Sequence, residues 1–154
     1  AKVGEGSGMS TGRIQGERMQ GGLMQGRRGL IMGLANDRSI AWGIAQAVAA
    51  QGATLAFSYQ GEALRKRVEP LAESLGKPVL YECDVASDDS IDALFSALQA
   101  DWGQLDFVVH AIGFADKNEL RGRYVDTSRA GFALAMDISV YSFTAVCQRA
   151  AAMM

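Results

Sequence analysis

The sequence predicts an α/β fold: one parallel sheet with helices wound over both of its faces. Three observations predict it. Short apolar runs at 29–32, 53–57, 78–83 and 105–109 alternate with stretches of helical period. The connections between them are short. The first run passes through a glycine loop into a helix, the unit that sets a helix N-terminus against the end of a buried strand. The order β-α-β-α-β-α-β implies right-handed crossovers and a doubly wound sheet.

The bulk numbers fit one domain. The chain has 154 residues, 49% hydrophobic, enough to bury a real core. A net charge of -2 argues against a nucleic-acid surface. No apolar run approaches the roughly 20 residues of a membrane span. The two cysteines, Cys83 and Cys147, lack paired spacing and read as buried thiols of a reducing compartment. One histidine and no ligand cluster predict no metal site. Residues 1–25, rich in Gly, Met, Gln and Arg, are expected to be a flexible extension, and they have no secretory h-region. The domain is expected over 26–154.

In the first unit, the strand at 29–32 is broken by Gly33, and Ser39 stands where a helix cap belongs. The helix runs through Ile44 and Val48 and stops at Gly52. Without a Cβ, Gly33 lets backbone approach a bound pyrophosphate, and Gly43 is expected to let the helix pack tightly on the strand. The usual G-x-G-x-x-G is absent: Gly33 is followed by five residues and then Ser39-Ile40-Ala41-Trp42-Gly43. This spacing leaves two readings open, a dinucleotide loop or an ordinary βα turn with a serine cap.

The second strand is expected at 53–57. A helix from Glu62 follows, with Leu64, Val68, Leu71 and Leu75 on one side and Pro70 set to kink or split it. Arg65-Lys66-Arg67 reads as a solvated face. A third strand at 78–83 ends in Asp84-Val85. A helix opened by Ser87-Asp88-Asp89 carries the stripe Ile91, Leu94, Phe95, Leu98 and Trp102. The fourth strand, 105–109, leads to His110-Ala111-Ile112-Gly113. His110 reads as a structural imidazole with a hydrogen-bond partner, not a base. A polar loop at 114–128 is long enough to suggest function. A last helix, 129–154, is apolar on several sides, which suggests burial against the sheet and against another subunit. Ligands of such sheets bind beyond the carboxyl ends of the strands, here 33–39, 58–61, 84–85 and 111–115.

At those strand ends the sequence resembles a family. GLANDRSIAWGIA, FSYQGEAL, CDVASDDSIDALF, VVHAIGFADKNELRGRYVDTSRAGF and DISVYSF, in that order, are similar to the bacterial NADH-dependent enoyl-acyl-carrier-protein reductases. These are divergent short-chain dehydrogenase/reductases of fatty-acid synthesis. The resemblance covers about 25–154. It implies a Rossmann-like fold, here cut after the fourth strand and the helix that follows it.

The resemblance also implies roles. Gly33, Ser39 and Ile40 match positions that hold the pyrophosphate and adjoining ribose. Gln60 matches the contact to the adenosine ribose, and Asp84 and Val85 the pair that holds adenine. Ile112, with Gly113 behind it, lies along the nicotinamide ribose, and Ala115 matches a substrate contact. The implied reaction is hydride transfer from NADH to a trans-2-enoyl chain carried on acyl carrier protein, in a cytoplasmic homo-oligomer, a tetramer in the family. Taken singly, Ser39 also reads as a plain cap, Ile40 and Ile112 as packing residues and Asp84 as a loop acid. Gln60 stands where the common NAD fingerprint has an acid, and no Lys or Arg adjoins it to attract a 2′-phosphate, so NADH is expected over NADPH.

The family's catalytic tyrosine, with a lysine seven positions later, lies after a fifth strand, past Met154. No catalytic residue is therefore expected in this sequence. Tyr59 and Lys66 have the spacing but stand at the adenosine end. Two alternatives remain. Another short-chain carbonyl reductase is opposed by the absent TGxxxGxG spacing and by His110-Ala111-Ile112-Gly113 where Asn-Asn-Ala-Gly belongs. The other is a non-catalytic dinucleotide-binding module.

Overall fold

A computed structural model describes residues 21–154. Four parallel strands, β1 (Arg28–Met32), β2 (Thr54–Tyr59), β3 (Val79–Glu82) and β4 (Phe107–His110), lie in the order β3-β2-β1-β4. Gly29 pairs with both Leu55 and Phe107, which fixes the register on either side of the central strand. The chain moves outward from β1 to β3 and then returns to the other side of β1. The strand order therefore reverses between β1 and β4, and this opens a crevice at their carboxyl ends.

Side chains alternate along each strand, so β1 feeds two cores. Ile31 joins Phe57, Ala41, Trp42, Ala45, Val68 and Ala72 beneath α1 (Ile40–Ala50) and α2 (Gly61–Glu73). Leu30 and Met32 face the other way, toward Ile91, Leu94, Phe95 and Leu98 of α3 (Asp88–Trp102) and Ala145, Val146 and Ala150 of α5 (Ser142–Ala150). The expected α3 stripe is thus the core face, except that Trp102 is only partly buried. Ser87 caps α3 by accepting from the Ser90 amide. At the amino edge, the Asp106 carboxylate accepts from Arg27 Nη1 and the Arg28 amide, both at 2.8 Å, tying the starts of β1 and β4.

Several expectations are corrected. The expected extension falls mainly outside the described residues, but its last part, 21–25, is a turn whose Leu23 and Met24 amides donate to Gln51. Pro70 does not split α2, which runs on to Glu73. It lies within the last turn: its missing N–H takes the helical bond from the Lys66 carbonyl, and the helix continues only three residues further. Cys147 is exposed, because it falls on the outer side of α5; Cys83 is buried as expected.

The last helix is not uniform. α4 (Arg129–Met136) widens into a π turn (Asp137–Tyr141) before α5. The whole rod, Arg129–Ala150, has the length and apolar composition to cross a membrane, against the expectation that no run approached this. Its α5 end is fastened to α3: Arg149 Nε donates to Asp92 at 2.7 Å and Nη2 to Asp88 at 3.1 Å. Burial is confined to α5, while Phe132, Val140, Tyr141 and Phe143 stand about half exposed.

Candidate functional site

A cavity of about 530 Å³ opens at the carboxyl edge of the sheet. Its walls come from the segment following each strand, and it brings together Gly33, Gln60, Asp84, Val85 and Ile112. Ser39, Ile40 and Ala115 are not among its walls.

Gly33 leaves β1 with φ +92°, a region that L side chains rarely adopt. A Cβ there would lie 2.1 Å from the Ala111 carbonyl oxygen. The Ala111 amide donates to Met32 O at 3.0 Å, so the two strands close together immediately below the cavity. The glycine is thus required by the approach of the β4 segment. Gly43 has no such role. It is exposed, and a Cβ on it would meet nothing within 4 Å, so the close packing expected of it is absent.

Ser39 occupies the N-cap position of α1, but its hydroxyl does not cap the helix. It turns back to accept from the Ala35 and Asn36 amides, at 3.1 and 3.0 Å. The bend at 35–38 is further held by Asn36 Oδ1, which accepts from the Arg38 amide at 2.8 Å. The N-terminus of α1 is left with no side-chain cap, its partial positive charge beside the loop. Ile40, at the first position of that helix, is 77% exposed, so the packing alternative for it is wrong.

Gln60 is exposed at the start of α2, and its amide makes no capping bond there. Asp84 sits in a turn. Its amide donates to Ser90 Oγ at 2.9 Å and its Oδ1 accepts from the Ala86 amide at 3.0 Å. Cys83, beside it, is pushed up to about 11 by burial, which keeps it a thiol and not a nucleophile. Tyr59 lines the cavity, but Lys66 points to solvent from α2. The pair stands two strand spacings, roughly 10 Å, from β4.

The far wall is Ala111, Ile112, Gly113 and Phe114, faced by Leu134 and Ile138. Beneath it, His110 Nε2 lies 2.8 Å from Ser142 Oγ. That hydroxyl donates to the Ile138 carbonyl at 2.6 Å, so Nε2 carries the proton and donates to Ser142. Burial lowers the imidazole below its usual range, and Phe143 meets it edge-on with ring centroids 5.5 Å apart. The structural imidazole is as expected. Its partner was not read from the sequence, nor was Ser139, which holds Phe114. The signal was the spacing of the two serines in DISVYSF.

The edge therefore offers an uncapped helix N-terminus for an anion, a neutral amide and a carboxylate at β2 and β3, and an apolar wall at β4. This set suits a long ligand with a central phosphate and a ring at each end. A family model described as enoyl-(acyl carrier protein) reductase matches residues 33–154. The chain is 64% identical over 129 residues to enoyl-[acyl-carrier-protein] reductase [NADH] 1 of Rhizobium meliloti, covering 84% of this chain and 47% of that protein. It is 49% identical over 125 residues to the FabI enzyme of Aquifex aeolicus, covering 81% and 46%. The chain spans about half the length of the curated relatives it matches. Among solved structures, the enoyl-(acyl-carrier-protein) reductase of Anaplasma phagocytophilum in complex with NAD is similar, with 55% identity and a TM-score of 0.83 over 87% of this chain and 52% of that one. The Bacillus cereus enzyme, solved with NADP+ and an indole naphthyridinone, has 43% identity and a TM-score of 0.83 over 86% and 52%. The family model's match over residues 33–154, with these relatives and structures, places the chain in the enoyl-(acyl carrier protein) reductase family.

Proposed function

We propose that this chain forms the cofactor half of an NADH-dependent enoyl-acyl-carrier-protein reductase. The observation that carries the proposal is the cavity at the β1/β4 crevice, which gathers Gly33, Gln60, Asp84, Val85 and Ile112 along one edge. In this reading the α1 N-terminus, with Ser39 and Ile40, receives the pyrophosphate and adjoining ribose. The Ser39 hydroxyl serves by shaping the 35–38 bend. Gln60 meets the adenosine ribose, and the Asp84 carboxylate accepts from the adenine amine with Val85 against the ring. Ile112 lies along the nicotinamide ribose, and Ala115 meets the acyl substrate.

Bound there, NADH supplies a hydride for the β-carbon of a trans-2-enoyl thioester carried on acyl carrier protein. The chain's own residues orient and shield the cofactor. His110 takes no part, because its proton is committed to Ser142. No tyrosine of this sequence stands at the β4 end of the site with a lysine seven positions later, so no proton donor is assigned to these residues. A cytoplasmic homo-oligomer, a tetramer, belongs to the same proposal, and the half-exposed Phe132, Tyr141 and Phe143 support it.

Fluorescence titration and an absorbance assay with a trans-2-enoyl thioester test this reading. The 154-residue polypeptide binds NADH saturably, binds NADPH more weakly because neutral Gln60 offers no cation to a 2′-phosphate, and shows no turnover above a blank. Tighter NADPH binding overturns the cofactor choice. Turnover overturns the division of the site.

A further inference from the structure

The helix that backs the far wall of the cavity breaks its regular pattern at Asp137–Tyr141, where it widens into a π turn. Such turns are rare and concentrate at functional sites. Two hydroxyls three residues apart lie on and beside it: Ser139, within the turn, reaches the segment after β4, and Ser142, the first residue of α5, reaches the end of β4 itself. Ser142 takes the His110 imidazole and is itself fully buried, which makes it part of the core. Ser139 is different. It is only half buried, and it holds backbone. The Phe114 amide donates to Ser139 Oγ at 3.0 Å, and Ser139 Oγ donates to the Phe114 carbonyl at 3.1 Å. One hydroxyl has one proton and two lone pairs, so both bonds form together.

Phe114 ends the wall formed by Ala111, Ile112 and Gly113, a segment with no regular secondary structure of its own. Its near end is fixed by the Ala111 amide on Met32 O. Its far end is fixed by Ser139. Ile138, the neighbour of Ser139 on the π turn, lines the same cavity. The wall is thus pinned at both ends, and the π turn supplies the second pin.

We propose that Ser139 is a positioning residue for the nicotinamide end of the site, acting through the Phe114 backbone. This rests on the cofactor reading above. The sheet order gives the role its direction. The adenosine contacts lie on β2 and β3, and the pinned wall lies on β4, three strand spacings or roughly 14 Å from β3. A loosened wall must be reordered whenever a ligand reaches it, and that ordering subtracts from affinity. A ligand confined to the adenosine end does not touch the wall.

Binding of NADH and of ADP to the native chain, Ser139→Ala and Ser139→Thr tests the proposal, with hydrogen exchange at the Phe114 amide. Ser139→Ala weakens NADH binding by about tenfold, the scale of one or two lost hydrogen bonds, and leaves ADP within about twofold. Its Phe114 amide exchanges faster. Ser139→Thr, which keeps the hydroxyl, restores NADH affinity and protection. Equal NADH affinity in Ser139→Ala and the native chain overturns the positioning role, and so does a parallel loss of ADP, which marks a general collapse. A native chain that binds neither probe removes the cofactor reading, and the role of Ser139 falls with it. Native binding with an indifferent Ser139→Ala removes the role of Ser139 alone.

Discussion

A methyl group at position 33 has nowhere to go. It would meet the Ala111 carbonyl at 2.1 Å, and the backbone there already has φ +92°. The obstacle is backbone on the adjoining strand, so no side-chain rotation relieves it. Gly33→Ala is therefore expected to destabilise the fold by on the order of 3 kcal/mol, read as a lowered urea midpoint at unchanged slope. A loss below about 1 kcal/mol contradicts the geometry. Residue by residue, the site was legible where a strand end fixes a position: Gly33, Gln60, Asp84, Val85 and Ile112 all line the cavity. It was less legible where a side chain chooses between neighbours. Ser39 has a cap's position and a loop's hydrogen bonds, and nothing in the spacing separates the two. Gly43 matches a packing glycine by position, yet the helix turns it to solvent.

At the scale of elements, the strands and the first three helices follow the hydrophobic period closely, because each buries one face on the sheet. The last helix does not follow it. Only α5 is buried, and the π turn shifts the phase of the helix before it. A π turn carries no sequence period of its own; here it coincides with the pair of hydroxyl bonds to β4 and to the loop after it. The His110–Ser142 bond has a consequence for pH. Burial holds the folded imidazole below 6.5, its ordinary value, so the unfolded chain takes up the proton first as pH falls. The contribution of His110 to stability is full above 6.5 and is lost as pH falls from there toward the depressed folded value, below which it changes no further. Urea midpoints measured between roughly pH 7.5 and 5.5 should fall for the native chain, and fall less for His110→Gln. Equal slopes in the two contradict the neutral, hydrogen-bonded imidazole.

For the whole molecule, the decisive feature is topology. The parallel, doubly wound sheet was legible in the alternation of strands and helices; the order β3-β2-β1-β4 was not, since right-handed crossovers are compatible with several orders. That order sets a crevice at the carboxyl ends of β1 and β4 and lays Gln60 and Asp84 to one side of it and Ile112 to the other. At the opposite edge a small groove lies beside Thr54, Leu75 and Lys77. The central claim is that the carboxyl edge holds the dinucleotide. Amide chemical-shift mapping during an NADH titration tests it most directly. The largest shifts are expected on the loop from Gly33 to Ile40, on Gln60, on Asp84 and Val85, and on Ala111 to Phe114, with Thr54 and Lys77 unmoved. Shifts centred on Thr54, Leu75 and Lys77, or saturation that leaves Asp84 and Ile112 unmoved, would contradict it.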